Sequence, residues 1–117
     1  MGNNVFAMYY TKKTIEISAS HSLNLNYESK CRHLHGHNWM ITLYCKSEEL
    51  DENGMVVDFS VLKDQIKDKL DHKNLNEVFD FNPTAENLAR WIVGNVPNCY
   101  KAEVQESQEN TAVYERD

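Results

Sequence analysis

The sequence has little of what marks a membrane or a secreted protein. No apolar run approaches the roughly 20 residues that a membrane-spanning helix needs. The first residues, Met1 to Phe6, lack the basic start and apolar stretch of a secretory signal, and position 6 lacks the hydroxyl typical of myristoylated termini. The three cysteines have no C-x-x-C spacing, which fits a reducing compartment better than a disulfide framework. We therefore expect a cytoplasmic protein without a membrane partner.

Positive charge is also scarce. Twelve lysines and arginines stand against eighteen aspartates and glutamates, which gives a formal net charge of −6. Proteins that bind nucleic acids non-specifically need a basic surface that neutralises phosphates. The charge balance therefore argues against a nucleic-acid partner, although a local basic cluster is compatible with a small anionic substrate.

The hydrophobic pattern predicts four strands in one domain, residues 1–117. Apolar and polar residues alternate over Phe6–Ser20 and again over His35–Lys46, as they do in half-buried strands. Near the end of the chain, Lys101–Ser107 and Thr111–Arg116 pair naturally as a closing hairpin. There are no internal repeats and no low-complexity segments.

Two helices are predicted between the two pairs of strands. Asp58 or Ser60 can cap the first helix, and Pro83 suits the first turn of the second. Their apolar stripes are Phe59, Leu62, Ile66 and Leu70, and Leu88, Trp91, Ile92 and Val96. The order β-β-α-α-β-β predicts an α+β fold with a four-stranded antiparallel sheet and both helices on one face. Such a sheet has two open edges, which favours oligomerisation.

The densest chemical signal is a cluster of histidines. Four of the five histidines lie between positions 21 and 37. His35 and His37 share one face of a strand because strand side chains alternate, and His21 on a neighbouring strand would supply a third nitrogen. Three protein ligands with a vacant position are typical of a catalytic zinc. Taken alone, the H-x-H pair is weak evidence for a metal site. His21 alone is also compatible with a hydrogen-bonded core histidine, and Cys31 alone with a small buried apolar residue.

The other candidate polar residues each have both a functional and a structural interpretation. Asp71 beside His72 is an acid–base pair, or a helix end with a solvated histidine. Glu106 lies in a predicted strand, where its carboxylate either accepts hydrogen bonds from the edge of a ring or faces solvent. Thr84 and Glu86 are compatible with a simple helix cap.

Together these residues resemble the 6-pyruvoyl-tetrahydropterin synthase / 6-carboxy-tetrahydropterin synthase family. The matching segments, in order, are Ile17–His21, Cys31–Asn38, Val57–Phe59, Leu70–Asn76, Pro83–Glu86 and Val104–Glu106. The resemblance implies a tunnelling fold (T-fold) of the same element order. It also implies trimers that stack into hexamers, with active sites at subunit interfaces.

The resemblance assigns roles by matching position. It implies that His21, His35 and His37 hold Zn²⁺ and that Cys31 is the catalytic thiol. Asp71 and His72 would be the partnering acid–base pair. The ring edge of a pterin would be anchored by Glu106, with help from Thr84 and Glu86. His33 matches a variable position and receives no role.

The cysteine spacing selects a branch within the family. Three residues, Arg32-His33-Leu34, separate Cys31 from His35, as in bacterial 6-carboxy-tetrahydropterin synthases of the queuosine (7-deazapurine) pathway. The pyruvoyl-forming branch typically has a longer insertion, and the folate branch a glutamate. The resemblance thus implies a zinc lyase that converts 7,8-dihydroneopterin triphosphate to 6-carboxy-5,6,7,8-tetrahydropterin, acetaldehyde and triphosphate. The alternatives are a 6-pyruvoyl-tetrahydropterin synthase and a non-catalytic metal- or pterin-binding module.

Overall fold

The computed structural model describes residues 7–117, so the predicted strand start at Phe6 lies outside the described residues. The elements are β1 (Tyr9–His21), β2 (His35–Ser47), α1 (Phe59–Leu70), β3 (Lys73–Asn74), α2 (Leu75–Val78), α3 (Ala85–Asn95), β4 (Cys99–Ser107) and β5 (Asn110–Glu115). A 3-10 turn at Lys30–Arg32 lies between β1 and β2. Within residues 7–117, no helix is long and apolar enough to cross a membrane.

The predicted α+β fold is confirmed, with one more strand than expected. The sheet order is β3-β1-β2-β4-β5, and the four longer strands pair antiparallel. The prediction of four strands was wrong because β3 adds a fifth, parallel to β1 through Ala19 and Ser20. A strand of two residues is too short to show any alternation in the sequence.

One face of the sheet builds the core. Ile15 and Ile17 of β1 lie beside Ile41 and Trp39 of β2, and all four side chains are buried. The helices cover this face with the stripes Leu62, Ile66, Leu70 and Leu88, Ala89, Ile92, Val93. Because side chains alternate along a strand, every second residue of β1 and β2 points into this layer.

Two details of the helices differ from the predictions. Asp58 caps α1 by accepting a hydrogen bond from the Ser60 amide, but Phe59 is 47% exposed and lies outside the apolar stripe. Thr84 caps α3, so Pro83 precedes this helix instead of occupying its first turn. The hydroxyl of Thr84 satisfies an amide of the first turn that would otherwise lack a partner, which fixes the start of the helix there.

Candidate metal centre and active site

The pairing of β1 with β2 brings the three predicted histidines together. His21 lies directly opposite His35, and Ala19 lies opposite His37. All three imidazoles project from the helix-covered face, since they share the alternation of the buried core residues. Their ring centroids are 4.6 Å apart for His21 and His35, 5.2 Å for His21 and His37, and 4.9 Å for His35 and His37.

Backbone carbonyls fix the orientation of two of these rings. His21 Nδ1 donates to the carbonyl oxygen of Pro83 at 2.7 Å, and His35 Nδ1 donates to that of His33 at 2.7 Å. A carbonyl accepts but never donates, so the proton is on Nδ1 and the lone pair is on Nε2. This is the arrangement by which proteins orient a histidine for a metal ion.

Trp39 forms the floor of the cluster. Its indole is fully buried, and its Nε1 donates to the carbonyl oxygen of Ala19 at 3.1 Å. The rings of His21 and His37 pack edge-on against it, with centroid distances of 4.9 and 5.3 Å. An indole held by packing and by a hydrogen bond leaves the neighbouring rings little freedom to turn.

A carboxylate completes the cluster. Glu106 near the end of β4 places its Oε1 3.2 Å from Nε2 of His37. The candidate ligand atoms of His21, His35, His37 and Glu106 all lie within 4.8 Å of one another. Three imidazoles and a carboxylate with convergent lone pairs can hold a divalent metal ion.

The electrostatics favour neutral imidazoles, the form that binds metals. Burial lowers the pKa of His21, although the hydrogen bond to Pro83 partly opposes this shift. Burial also lowers the pKa of His37, and the negative charge of Glu106 partly opposes it. Within residues 7–117, the buried Nε2 atoms of His21 and His37 have no hydrogen-bond partner. Leaving a buried polar atom unsatisfied costs about 1–3 kcal/mol. A metal ion would satisfy both, so the residues fit the metal that the sequence implied.

Cys31 shares a cavity with this cluster. It lies in the 3-10 turn of residues 30–32, where the side chain of Ser29 accepts a hydrogen bond from the Cys31 amide. The cavity of 540 Å³ is lined by Cys31 and by His35, His37 and Glu106. The thiol is free and half-buried. It therefore stands at the wall of the space into which the candidate ligands point.

His72 lines a different cavity, and Asp71 lies beside His72. Asp71 Oδ1 accepts from the Ser18 amide at 2.8 Å, and its Oδ2 lies 3.6 Å from Nε2 of His72. His72 lines a cavity of 510 Å³ that shares only Gly36 and His37 with the lining of the Cys31 cavity. Within one chain, the pair is thus adjacent but is not assembled with Cys31.

The backbone of His72 adopts a conformation that is rare outside glycine. Its φ is 60°, and its amide donates to the carbonyl oxygen of Ser18. Left-handed backbone at a residue with a Cβ costs about 1–2 kcal/mol. Such strain concentrates at functional residues, because the surrounding contacts must hold it in place.

The three predicted pterin-binding residues are only partly brought together. Glu86 and Glu106 line one cavity of 340 Å³. Thr84 Oγ1 accepts from the Asn87 amide as the cap of α3. Sequence reasoning missed the contact between Glu106 and His37, which depends on how β4 pairs with β2, and no motif spacing encodes that pairing.

The chain is similar to known proteins over nearly its whole length. Residues 10–117 match the family model described as 6-pyruvoyl tetrahydropterin synthase. The chain belongs to the 6-pyruvoyl tetrahydropterin synthase family. The predicted family is therefore confirmed over nearly the whole chain.

Relatives within the family carry more specific names. A protein of Synechocystis named 6-carboxy-5,6,7,8-tetrahydropterin synthase is 37% identical, over 92% of this chain and 93% of its own length. A protein of the same name from Bacillus subtilis is 32% identical, over 87% of this chain and 82% of its own. The solved 6-pyruvoyl tetrahydropterin synthase of Caenorhabditis elegans has a TM-score of 0.74 and is 25% identical, covering 96% of this chain and 98% of that one.

Proposed function

We propose that this protein is a zinc-dependent 6-carboxy-5,6,7,8-tetrahydropterin synthase. Its substrate would be 7,8-dihydroneopterin triphosphate, and its products 6-carboxy-tetrahydropterin, acetaldehyde and triphosphate, formed with the uptake of water. The observation that carries the proposal is the convergence of His21, His35 and His37. Two of these histidines, His35 and His37, line the cavity that Cys31 also lines. The names of the Synechocystis and Bacillus subtilis relatives support this branch of the family. The product would feed 7-deazapurine (queuosine) synthesis in the cytoplasm.

His21, His35 and His37 would hold the zinc ion. Imidazole nitrogens suit zinc well, and three of them leave room for a substrate oxygen. When bound, zinc would polarise oxygens of the substrate side chain and make their protons more acidic. The chain's own contribution is the fixed direction of the Nε2 lone pairs, set by the carbonyls of Pro83 and His33.

Two groups would move protons. Cys31 lines the cavity beside the histidines, and its thiolate would accept a proton from the substrate side chain. His72 would handle a proton on the other side of the substrate, with Asp71 as the carboxylate beside its ring. Asp71 is itself held by the Ser18 amide, so it orients His72 from a rigid strand.

The pterin ring would lie in the cavity that Glu86 and Glu106 share. A pterin presents adjacent N–H donors, from its 2-amino group and N3, and a carboxylate can accept both. We assign this recognition to Glu106, with Glu86 and Thr84 as helpers. Glu106 separates this cavity from the metal cavity, because it lines both.

The active site would be completed by a second chain. Cys31 and His72 open into separate cavities within one chain, whereas the proposed reaction needs both around one substrate. A homo-oligomer, built as a dimer of trimers with sites at the subunit interfaces, would supply His72 to the Cys31 of a neighbour.

Product identification tests the proposed function. The purified, zinc-loaded protein is incubated with 7,8-dihydroneopterin triphosphate, and the pterins and acetaldehyde are measured by mass spectrometry. We expect 6-carboxy-tetrahydropterin and one acetaldehyde per triphosphate released. Formation of 6-pyruvoyl-tetrahydropterin would instead support the activity named for the Caenorhabditis elegans neighbour. Intact substrate after prolonged incubation would leave only a binding module.

A further inference from the structure

Glu106 lies against the histidine cluster as well as in the cavity that it shares with Glu86. Its Oε1 is 3.2 Å from Nε2 of His37, yet the two atoms do not have hydrogen-bond geometry. Ligands at about 2.0–2.2 Å from a tetrahedral zinc ion are separated from one another by about 3.3–3.6 Å. The Glu106 oxygen therefore lies about as far from His37 as a second ligand of the same ion would, and it is within 4.8 Å of the ligand atoms of His21 and His35.

The backbone aims this side chain at the cluster. The pairing of β4 with β5 shifts register between Gln105 and Ser107, so Glu106 sits at the irregularity. Such bulges re-aim a side chain and are frequent beside active sites. The direction of the carboxylate is thus built into the hairpin.

We propose that Glu106 is the fourth protein ligand of the metal ion before substrate binds, and that the pterin ring draws it away. This inference rests on the proposed function for the identity of the metal and of the ring. Glu106 lines the cavity of Glu86 as well as that of the histidines, so a small side-chain movement changes its partner. The carboxylate cannot serve both at once. Ring binding therefore vacates the metal position that the substrate side chain needs.

Coordination by Glu106 would protect the metal ion while no substrate is bound. A metal ion with four protein ligands has no position for water or a foreign anion, whereas one with three does. Binding of the correct ring would convert the closed centre into the open one. The same residue would link recognition of the pterin to access to the metal.

Cobalt(II) substitution tests this arrangement without any turnover. The visible spectrum of the cobalt protein is titrated with thiocyanate, an anion that binds cobalt at a vacant position. We expect the Glu106→Gln protein to bind thiocyanate at least about tenfold more tightly than wild type, because a tethered carboxylate competes at a high effective concentration. Glu103→Gln is the matched control: it removes the same charge from the same strand, and its carboxylate accepts from Tyr44 instead.

A second titration uses the wild-type protein alone. Saturation with 6-methylpterin, which has the ring but no side-chain hydroxyls, should raise the affinity for thiocyanate to that of Glu106→Gln. Equal thiocyanate affinity of wild type and Glu106→Gln would overturn the closed resting centre. Failure of 6-methylpterin to change the wild-type titration would overturn the displacement. Absence of 6-carboxy-tetrahydropterin in the product assay would refute the proposed function and leave the thiocyanate comparison of wild type with Glu106→Gln intact.

Discussion

At the scale of single residues, the centre depends on which nitrogen of each imidazole carries the proton. The Nδ1 atoms of His21 and His35 each donate a hydrogen bond to a backbone carbonyl, so both rings present Nε2 to the candidate metal position. Burial holds the pKa of His21 low, which keeps its lone pair available. Alanine in place of any one of His21, His35 and His37 removes one candidate metal ligand and keeps the other two.

We predict that His35→Ala and His37→Ala bind zinc at least about tenfold more weakly than wild type, because ligand loss exceeds the 10–100-fold effect typical of residues that only support ligands. Competition with a chromophoric chelator measures the affinity. His33→Ala is the control, since His33 is exposed and contributes only its carbonyl. Wild-type zinc affinity in both His35→Ala and His37→Ala would remove the metal from this cluster.

Cys31 is expected to act on protons and not on the metal. We predict that Cys31→Ala keeps its zinc and its fold but loses about 10²–10⁴-fold in the rate of product formation, the usual range for a positioned acid–base group. Single-turnover assays at saturating substrate measure the rate, and metal analysis of the same sample is the control. A rate equal to that of wild type would exclude Cys31 from the mechanism.

At the scale of the elements, a short irregular segment positions the predicted acid–base pair. The turn after α1 brings Asp71 and His72 against Ser18 of β1, where β3 begins. Asp71 joins this turn to β1, since its Oδ1 accepts a hydrogen bond from the Ser18 amide at 2.8 Å. A hydrogen bond to a charged group contributes about 1.5–3 kcal/mol.

We predict that Asp71→Ala lowers the free energy of unfolding by about 1.5–3 kcal/mol, because it leaves the Ser18 amide without its acceptor. Asp71→Asn keeps an oxygen at that place and should lose less than half as much. Urea unfolding at one fixed protein concentration compares the two variants, since subunit association also affects stability. Equal stability of Asp71→Ala and wild type would show that the bond does not hold the turn.

Sequence patterns predict the long elements well and the short ones poorly. Alternation or helical periodicity revealed β1, β2, α1, α3 and the hairpin, because each extends over several periods. β3 and α2 are two and four residues long, too short for any periodicity. The three histidines were predictable from strand alternation, whereas the approach of Glu106 depends on the register of β4 and its irregularity.

At the scale of the whole molecule, one chain leaves much of its sheet edge unpaired. β3 pairs with only two of the thirteen residues of β1, and in the described part of the chain no other strand lies on that side. Near the start of β1, Tyr10 is 64% exposed, and it lines a cavity of 490 Å³ together with Met55 and Phe59. Open edges and exposed apolar side chains favour association with further copies.

We predict a hexamer in solution, because stacked trimers would pair the open edges and join Cys31 to the His72 of a neighbour. Light scattering coupled to size-exclusion chromatography at micromolar concentration measures the mass. A single species of six chains is the expected result. A monomer that still forms product at the full rate would contradict the shared active site.

The most direct test of the central claim, that the histidine cluster holds the zinc on which the chemistry depends, is to follow zinc and product together. Zinc per chain and the rate of 6-carboxy-tetrahydropterin formation are measured in the purified protein, after chelation and dialysis, and after zinc is restored. The account predicts one zinc per chain, loss of product formation with loss of the metal, and recovery of both in proportion. Full product formation by protein stripped of all divalent metal would contradict it.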